Sequence, residues 1–334
     1  MSKTAFVTGG TGFVGANVVR ELLTDGWSVR ALARAGSDQR NLADLPLQVV
    51  TGAVEDDLTH AMLGCDAVFH VAAHYTLWRA DRDTVVRSNV VGTRSILESA
   101  RRAAVPRVVY TSSVAAIGVP HEGRIANETF QSEAGELIGE YKRSKYYAER
   151  EAISAAAGGQ DVVIVNPTTP LGPWDRKPTP TGEIIVRFLR GGMPFMLDTG
   201  LNFVDVRDVA RGHLAAYYRG ERGERYILGG ENLSLRSLLD RVGAATGRRA
   251  PRFSLPRAVP LAAAWFDEMV LGKLGRTPTI PIDGVLMAKE FMYYDSSKAF
   301  AALGYRPGPL EDAIDDAVAW FETHGYLVLH RSNA

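Results

Sequence analysis

The first half of the chain alternates short, valine-rich apolar runs with longer segments whose apolar residues recur at helical spacing. Such runs predict strands, and such segments predict amphipathic helices. The predicted strands are Thr4–Thr8, Ser28–Ala33, Gln48–Thr51, Ala67–Val71, Arg107–Thr111 and Val162–Asn166. The predicted helices are Val14–Asp25, a segment near Leu58–Leu63, Val85–Ala104 and Ile138–Ala157. This alternation predicts β-α-β units, and continuous rather than alternating apolar runs are typical of parallel strands covered on both faces.

The second half of the chain has a different pattern. The segment 167–182 holds five prolines and two glycines, which predicts that the chain leaves the sheet there. Further on, Asn202–Val206 and Arg225–Leu228 are predicted to return as strands to the main sheet. Leu310–His324 is predicted to form an amphipathic closing helix.

These patterns predict an α/β protein with a Rossmann-type, doubly wound parallel sheet and a smaller, mostly helical C-terminal lobe. We expect the dinucleotide-binding domain at 1–166, with returning segments at about 203–228. The substrate-binding lobe is expected at 167–202 and 229–325. A length of 334 residues is consistent with two domains.

Composition excludes several classes of protein. The 38 basic residues balance 38 acidic ones, whereas a nucleic-acid-binding protein needs a basic excess. The single cysteine, Cys65, cannot form an internal disulfide, and the seven histidines show no metal-ligand spacing. No apolar run is long enough for a membrane span, and the N-terminus does not resemble a signal peptide. We therefore expect a cytoplasmic protein that binds neither nucleic acid nor metal.

A glycine-rich loop follows the first predicted strand and opens the first predicted helix. It reads TGGTGFVG at 8–15, with glycines at 9, 12 and 15. Glycines at this spacing allow a tight turn and let the backbone approach a pyrophosphate at the N-terminus of a helix. Gly9, Gly12, Phe13 and Val14 are therefore predicted to contact a dinucleotide.

The end of the second strand bears on the choice between NAD and NADP. An acid there would bind the ribose hydroxyls of NAD, whereas an arginine would bind the 2′-phosphate of NADP. Arg34 occupies this position, and no acid stands at the strand end. NADP is the predicted cofactor; NAD remains the alternative because Asp38 follows closely.

Two further segments carry candidate catalytic side chains. Tyr141 and Lys145 are four residues apart on a predicted helix and therefore share a face. An ammonium near a phenol lowers the pKa of the phenol, so Tyr141 is a candidate proton donor or acceptor. Ser112 and Ser113 follow the strand Arg107–Thr111, where a hydroxyl can bind a substrate carbonyl.

Together these segments resemble the extended short-chain dehydrogenase/reductase family, also called the NAD-dependent epimerase/dehydratase family. The matching segments run along nearly the whole chain: TGGTGFVG at 8–15, HVAA at 70–73, NVVGT at 89–93, YTSSVAAIG at 110–118, YKRSK at 141–145, NPTTPLGP at 166–173, FVDVRDVA at 203–210 and DSSKAFAALGYRP at 295–307. Among its subgroups, the chain is similar to dihydroflavonol 4-reductase-like reductases. It is still more similar to bacterial hopanoid-associated sugar epimerases, whose pattern GERYILGGEN recurs at 223–232.

The resemblance implies a role for individual residues. Ser113 would hold the substrate oxygen, Tyr141 would be the acid/base, and Lys145 would bind the nicotinamide ribose. Other positions that it implies for cofactor binding are Ala72, Ala73, Pro167 and Thr168, with His70 lining the same crevice. It also implies a homodimer formed through the helices Val85–Ala104 and Ile138–Ala157, with Glu149 among the outward-facing residues.

Two departures from the family pattern affect these expectations. Gly52 is followed by Ala53 where many members carry an acid, so the adenine would depend on the backbone near Ala53 and Val54. Many nucleotide-sugar epimerases carry an arginine just before the strand that corresponds to 203–206, and this chain has none there. The missing arginine disfavours a nucleotide-sugar substrate.

The leading hypothesis is an NADP(H)-dependent reductase that converts a ketone or aldehyde to an alcohol. The alternative is an NAD-dependent sugar 4-epimerase or dehydratase. A dinucleotide-sensing regulator is disfavoured because the candidate serine, tyrosine and lysine are all present. The candidate substrate residues are Tyr75, Trp78, Thr169, Trp174 and Phe203. Their aromatic character predicts an apolar or aromatic carbonyl substrate.

Overall fold

The computed structural model describes residues 2–76, 81–120, 124–251, 253–255, 258–273, 282–288 and 290–327. Its strands are β1 (Thr4–Thr8), β2 (Ser28–Ala33), β3 (Gln48–Thr51), β4 (Ala67–His70), β5 (Arg107–Thr111), β6 (Val162–Pro167), β7 (Thr169–Leu171), β8 (Gly200–Asp205), β9 (Arg225–Leu228), β10 (Glu231–Ser234) and β11 (Phe291–Met292).

The α-helices begin with α1 (Phe13–Thr24), α2 (Thr59–Met62), α3 (Arg82–Val86), α4 (Gly92–Arg102), α5 (Val114–Ile117), α6 (Glu140–Ala157) and α7 (Pro180–Leu189). They continue with α8 (Val206–Arg219), α9 (Leu235–Thr246), α10 (Ala258–Lys273), α11 (Ile282–Met287), α12 (Ser297–Leu303) and α13 (Leu310–Thr323). A π-helical turn, Arg87–Val91, joins α3 to α4, so the predicted helix Val85–Ala104 is divided by this turn.

The main sheet is parallel and has the strand order β3-β2-β1-β4-β5-β6-β9. Apolar side chains of α1 and α8 pack on one face, and those of α4 and α6 on the other. This is the doubly wound Rossmann arrangement that the sequence pattern predicts. The strand order reverses between β1 and β4, so a crevice opens there at the carboxyl ends of the strands.

One strand that was predicted to join the main sheet belongs to a second, smaller sheet. The strand β8 does not return to the main sheet: it pairs with β7 and β11 in parallel and with β10 in antiparallel orientation. Only Arg225–Leu228 joins the main sheet, beside β6. An apolar run predicts a strand but not its partner, and here Phe203 packs into the separate core of the second lobe.

The core of the second lobe is built from α7, α9 and α13 packed on the small sheet. Its buried side chains include Leu238, Leu239, Trp320 and Phe321. The closing helix predicted at 310–324 is confirmed as α13. Within the described part of the chain, no helix is long and apolar enough to cross a bilayer.

Candidate active site

One large cavity begins at the crevice between β1 and β4 and extends into the second lobe. Its volume is about 1190 Å³, and it is lined from the glycine loop, through Tyr141 on α6, to α11. The predicted cofactor residues and the candidate catalytic residues therefore face one continuous space.

The glycine loop has the geometry that a dinucleotide requires. Gly9 has a φ of +74°, and a Cβ there would lie 2.6 Å from the backbone nitrogen of Ala72. A Cβ on Gly15 would overlap the carbonyl oxygen of Gly9. The turn is closed by the Gly12 N–H, which donates to the Gly9 carbonyl over 2.9 Å. Only glycine fits the first and third positions, and the open N-terminus of α1 suits a pyrophosphate.

Beneath this loop, a buried chain of hydrogen bonds corrects the expected place of His70. The ring of His70 is fully buried between the hydroxyls of Thr8, at 2.7 Å, and Thr93, at 3.0 Å. Thr93 donates its own proton to the Asn89 carbonyl, so it accepts from His70, whose other nitrogen accepts from Thr8. Burial lowers the pKa of His70 to about 3. The neutral ring thus supports β1 and β4 and does not line the cavity.

Asn89, in the π-helical turn, links this chain to α6. Its side-chain oxygen accepts from the backbone N–H of His74 at 2.7 Å. Its amide donates to the His74 carbonyl at 2.9 Å and to the Ser144 hydroxyl at 2.9 Å. Asn89 therefore fixes the segment after β4 against the helix that carries Tyr141 and Lys145.

At the end of β2, the arginines have separate roles. Arg30 donates to the carbonyls of Ala61 and Leu63, and Arg40 forms a 2.6 Å ion pair with Asp38. Arg34 is exposed, lines the cavity and has no ion-pair partner in the described part of the chain. Its guanidinium is therefore available to an anion.

The other predicted cofactor residues also face the cavity. Phe13 and Val14 line it beside the glycine loop, and Val54 lines it near the end of β3. Ala72 and Ala73 follow β4, and Pro167 and Thr168 follow the end of β6. The Ala53 N–H is bound to the Asp56 carboxylate at 2.7 Å, so this donor of the backbone near Val54 is already engaged.

Tyr141, Lys145 and Ser113 all line the cavity. Lys145 is buried and donates to the Thr111 carbonyl at 2.8 Å. Ser113 caps α5, because its hydroxyl accepts from the Ala115 N–H at 3.1 Å. The ring of Tyr75 packs edge-on against that of Tyr141, with 4.5 Å between centroids.

The pKa of Tyr141 is shifted in the direction opposite to the one expected from the sequence. Burial raises the pKa of Tyr141 to about 12, although the hydrogen bond with Ser113 opposes the rise. Lys145 is itself buried, which lowers its pKa to about 8, with Glu149 opposing that fall. Desolvation is the largest influence on the pKa of Tyr141, and the expected lowering of this pKa by the lysine is not found. In this environment Tyr141 is a neutral phenol that can donate a proton.

Glu149 corrects a further prediction, because it faces inward rather than outward. It is 2% exposed and pairs with Arg225 on β9 at 2.8 Å. Its other oxygen accepts from the Asn166 amide at 2.6 Å. Asn166 also donates to the Ser113 carbonyl at 3.1 Å. This group joins α6, β6 and β9 directly beneath the candidate catalytic residues.

The five predicted substrate residues divide into three groups. Tyr75 and Thr169 line the cavity. Phe203 lies wholly in the core of the second lobe, and Trp174 packs against Trp320, so neither lines the cavity. Trp78 lies outside the described residues.

Sequence reasoning missed most of the wall that the second lobe contributes. The additional apolar lining residues include Met193, Met196, Leu197, Leu255, Met287 and Met292. It also missed Lys142, which is 9% exposed and lines the cavity next to Tyr141. Scattered methionines and leucines carry no motif, so only the folded arrangement brings them together.

Comparison with known proteins gives concordant matches. The profile of the NAD dependent epimerase/dehydratase family matches residues 5–229. A protein of Synechocystis sp., provisionally named a dihydroflavonol 4-reductase, is 56% identical over 98% of this chain and 97% of its own length. Sterol demethylase protein B of Methylococcus capsulatus is 35% identical over 97% of this chain and 100% of its own. The crystal structure of gox2253 is 41% identical, with a TM-score of 0.87 over 98% of this chain and 100% of that one.

Proposed function

Because this chain belongs to the NAD dependent epimerase/dehydratase family, the extended short-chain dehydrogenases/reductases, it is an NAD(P)-dependent oxidoreductase or epimerase. We propose that it is an NADP(H)-dependent reductase that interconverts a ketone or aldehyde and an alcohol on a bulky, apolar substrate.

The observation that carries this proposal is the apolar wall that the second lobe contributes to the cavity lined by Tyr141. The lobe contributes methionines and leucines to the cavity, among them Met193, Leu255 and Met287. A nucleotide sugar would place two phosphates on the lobe side, where cationic side chains would be needed. The stretch 198–202, before and within β8, contains no arginine. The described lobe cations that do line the cavity are Arg176, which donates to Asn41 at the cofactor end, and the exposed Lys177 next to it. An apolar ring system suits such a wall better than a nucleotide diphosphate does.

The names of two relatives favour the same class of substrate. One is named for the reduction of a dihydroflavonol, and the other for the demethylation of sterols. Both names refer to fused or linked ring systems that are largely apolar. We therefore favour a ring-containing alcohol or ketone over a sugar nucleotide as the substrate class.

In the proposed reaction, the residues of this chain position the carbonyl and move one proton. Ser113 donates a hydrogen bond to the carbonyl oxygen, and Tyr141 donates its phenolic proton to that oxygen as the alcohol forms. Lys145 binds the nicotinamide ribose and stabilises the phenolate that remains. The nicotinamide, when bound, supplies the hydride in reduction and accepts it in oxidation. Tyr75 packs on Tyr141 and restricts where the carbonyl can lie.

The proposed preference for NADP depends on Arg34. This side chain lines the cavity at the end of β2 without an ion-pair partner in the described chain, whereas Asp38 is held by Arg40. A free guanidinium binds a 2′-phosphate through charge-assisted hydrogen bonds. An acid already neutralised by its neighbour is a weaker partner for a ribose hydroxyl.

The Arg34→Asp variant tests this assignment. We expect its KM for NADPH to rise about 10- to 100-fold, the equivalent of losing a charge-assisted hydrogen bond, while the KM for NADH changes much less. Arg222→Asp, the same change at an exposed site away from the cavity, controls for net charge. Equal effects of Arg34→Asp on the two cofactors would refute the 2′-phosphate assignment.

The reaction class is tested with a substrate panel. Purified enzyme is assayed for NADPH oxidation with cyclic and aromatic ketones and aldehydes, and separately for epimerisation of UDP-glucose with added NAD. Turnover of the ketones without epimerisation supports the reductase. Epimerisation of UDP-glucose without ketone reduction would overturn the proposal in favour of the sugar 4-epimerase.

A further inference from the structure

Lys142 is a cation inside the cavity that lacks an acidic contact. Its side chain is almost completely buried, at 9% exposure, and its Nζ lies 3.8 Å from the thioether sulfur of Met292. Glu290 influences it only through longer-range attraction. Within the described residues, no carboxylate forms a hydrogen bond or an ion pair with this ammonium.

Such an arrangement is unfavourable unless a ligand completes it. An ammonium has three donors, and a thioether is a weak acceptor. Burying an ammonium without an anionic or strongly polar partner costs several kcal/mol in typical cases. Burial accordingly lowers the pKa of Lys142, and Glu290 only partly opposes that effect. A methionine or leucine would fill the same space more favourably if packing were the only requirement.

The position of Lys142 assigns it to the substrate rather than to the cofactor. It follows Tyr141 directly on α6, but its ammonium reaches toward Met292 on β11, which belongs to the second lobe. Met287 and Ala288 line the same cavity. The cofactor residues lie at the other end, around the glycine loop and β2.

The neighbouring cations of α6 already have hydrogen-bond or ion-pair partners. Lys145 donates to the Thr111 carbonyl, and Arg143 pairs with Glu140 at 2.5 Å. Lys142 is therefore the cation of α6 that lines the cavity with a weak acceptor, the Met292 sulfur, as its hydrogen-bond partner among the described residues. Its lobe-side contact is the thioether of Met292, with Met287 and Ala288 on the same wall and Glu290 acting only at longer range, so the site offers one positive charge beside a largely apolar wall.

We propose that Lys142 binds a carboxylate of the substrate, and that the natural substrate is a bulky apolar alcohol or ketone carrying a carboxylate near its reacting carbon. This inference rests on the proposed function, since it names the substrate class of the same site. A single ammonium in an apolar wall matches one carboxylate, whereas a diphosphate would require several donors. The carboxylate would also fix the orientation of the ring system relative to Tyr141.

The test measures binding, so that it does not depend on turnover. The probes are 2-naphthoate and its neutral analogue 2-naphthamide, titrated by calorimetry into enzyme saturated with NADP⁺. For the wild type we expect naphthoate to bind at least about tenfold more tightly than the amide, as for a charge-assisted contact. In Lys142→Met the preference should vanish, and in Lys142→Arg it should be partly retained.

A control variant distinguishes binding at Lys142 from a general effect of removing a positive charge from the cavity. Lys177→Met removes an exposed cation that also lines the cavity, and it should keep the preference for naphthoate. A wild type that binds both probes equally, or a Lys142→Met variant that still prefers naphthoate, would overturn the inference. A normal melting temperature of Lys142→Met excludes misfolding as the cause of any loss.

A second probe separates this inference from the proposed function. UDP is titrated in competition with naphthoate. If UDP binds tightly and depends on Lys142, the anion is a nucleotide diphosphate, and both the carboxylate assignment and the reductase proposal are wrong. If naphthoate depends on Lys142 while no ketone is reduced, the carboxylate site stands and only the proposed reaction fails.

Discussion

Tyr141 carries the proton chemistry of the proposed reaction, and its environment decides its protonation state near neutral pH. Burial raises its pKa to about 12, so the phenol remains protonated through the ordinary pH range. A protonated phenol can donate to a carbonyl oxygen, whereas oxidation of an alcohol requires the phenolate. The environment of this one residue therefore keeps it in the protonation state that the reduction step uses.

The pH dependence of the two directions follows from this pKa. Below about 12 the phenolate fraction increases tenfold with each pH unit, so alcohol oxidation should rise with pH. Carbonyl reduction needs the neutral phenol and should not rise with pH. Initial rates in both directions at saturating cofactor provide the measurement. An optimum for oxidation at acidic pH would contradict the role of Tyr141 as the acid/base.

Tyr141→Phe isolates the hydroxyl. We expect kcat to fall by about 10²- to 10⁴-fold, the usual contribution of a positioned acid, because the ring remains but the proton donor is lost. The affinity for NADPH, followed by fluorescence, should be nearly unchanged. Tyr146→Phe removes the hydroxyl of another tyrosine of α6 that does not line the cavity, and it serves as the control. Turnover unchanged in Tyr141→Phe would refute the assignment.

At the scale of single residues, the sequence identified the members of a known spacing pattern but not the residues whose role depends on burial. Tyr141, Lys145 and Ser113 could be selected from the sequence because their spacing has a chemical meaning. Lys142 could not, since a lysine beside them on a helix is ordinarily solvated. Its burial depends on Met292, which lies far along the chain. Desolvation of Tyr141 is likewise a property of the folded cavity, and the sequence suggested a shift of the opposite sign.

At the scale of elements, a buried ion pair fixes the catalytic helix to the sheet. Glu149 on α6 pairs with Arg225 on β9; the Glu149 side chain is buried, and that of Arg225 is 16% exposed. Arg225 also donates to the carbonyls of Glu128 and Phe130 and to the side chain of Gln131. The pair thus joins α6, the edge strand and the loop that follows α5.

Removing one partner of this ion pair should lower the free energy of unfolding. Glu149→Gln should lower the free energy of unfolding by roughly 3 kcal/mol or more, because Arg225 is left buried without its anion. Urea denaturation provides the measurement, and a double-mutant cycle with Arg225→Met gives the coupling. Glu151→Gln, also on α6, breaks an exposed pair with Arg94 of α4 and should cost less than about 1 kcal/mol. Equal losses in the two variants would contradict this role of the buried pair.

The pattern of apolar and polar residues predicted most elements but not all their partners. The strands of the main sheet and the helices α1, α6 and α13 lie within a few residues of their predicted bounds. The pairing of β8 with β7, β10 and β11 was not predicted. Those partners are short and lie in the proline-rich or irregular half of the chain, where local periodicity is weak.

At the scale of the whole molecule, association through α3, α4 and α6 stays a prediction. The surface formed by these helices and the π-helical turn exposes Val86, Val91 and Tyr147 at 37%, 45% and 49%. Exposed apolar side chains on neighbouring helices can be covered by a second copy of the same surface. Glu149 does not oppose such a contact, because it faces the interior.

Tyr147→Asp tests the predicted dimer. Sedimentation equilibrium should give a dimer for the wild type and a monomer for the variant, because a buried carboxylate opposes the contact. Val259→Asp places the same charge on α10, where Val259 is 52% exposed, and should leave the dimer intact. A dimer that survives Tyr147→Asp would show that another surface associates, and one lost in Val259→Asp would point to α10.

The sequence by itself determined the Rossmann sheet, the glycine loop and the three candidate catalytic residues. These depend on local periodicity, on backbone freedom at fixed positions and on spacing along one helix, all of which are short-range properties. The tertiary structure alone decided which strands form the second sheet, which side chains wall the substrate end of the cavity, and which polar groups are buried. Those outcomes depend on contacts between distant segments, and burial changes charge and hydrogen bonding in ways that no local pattern records.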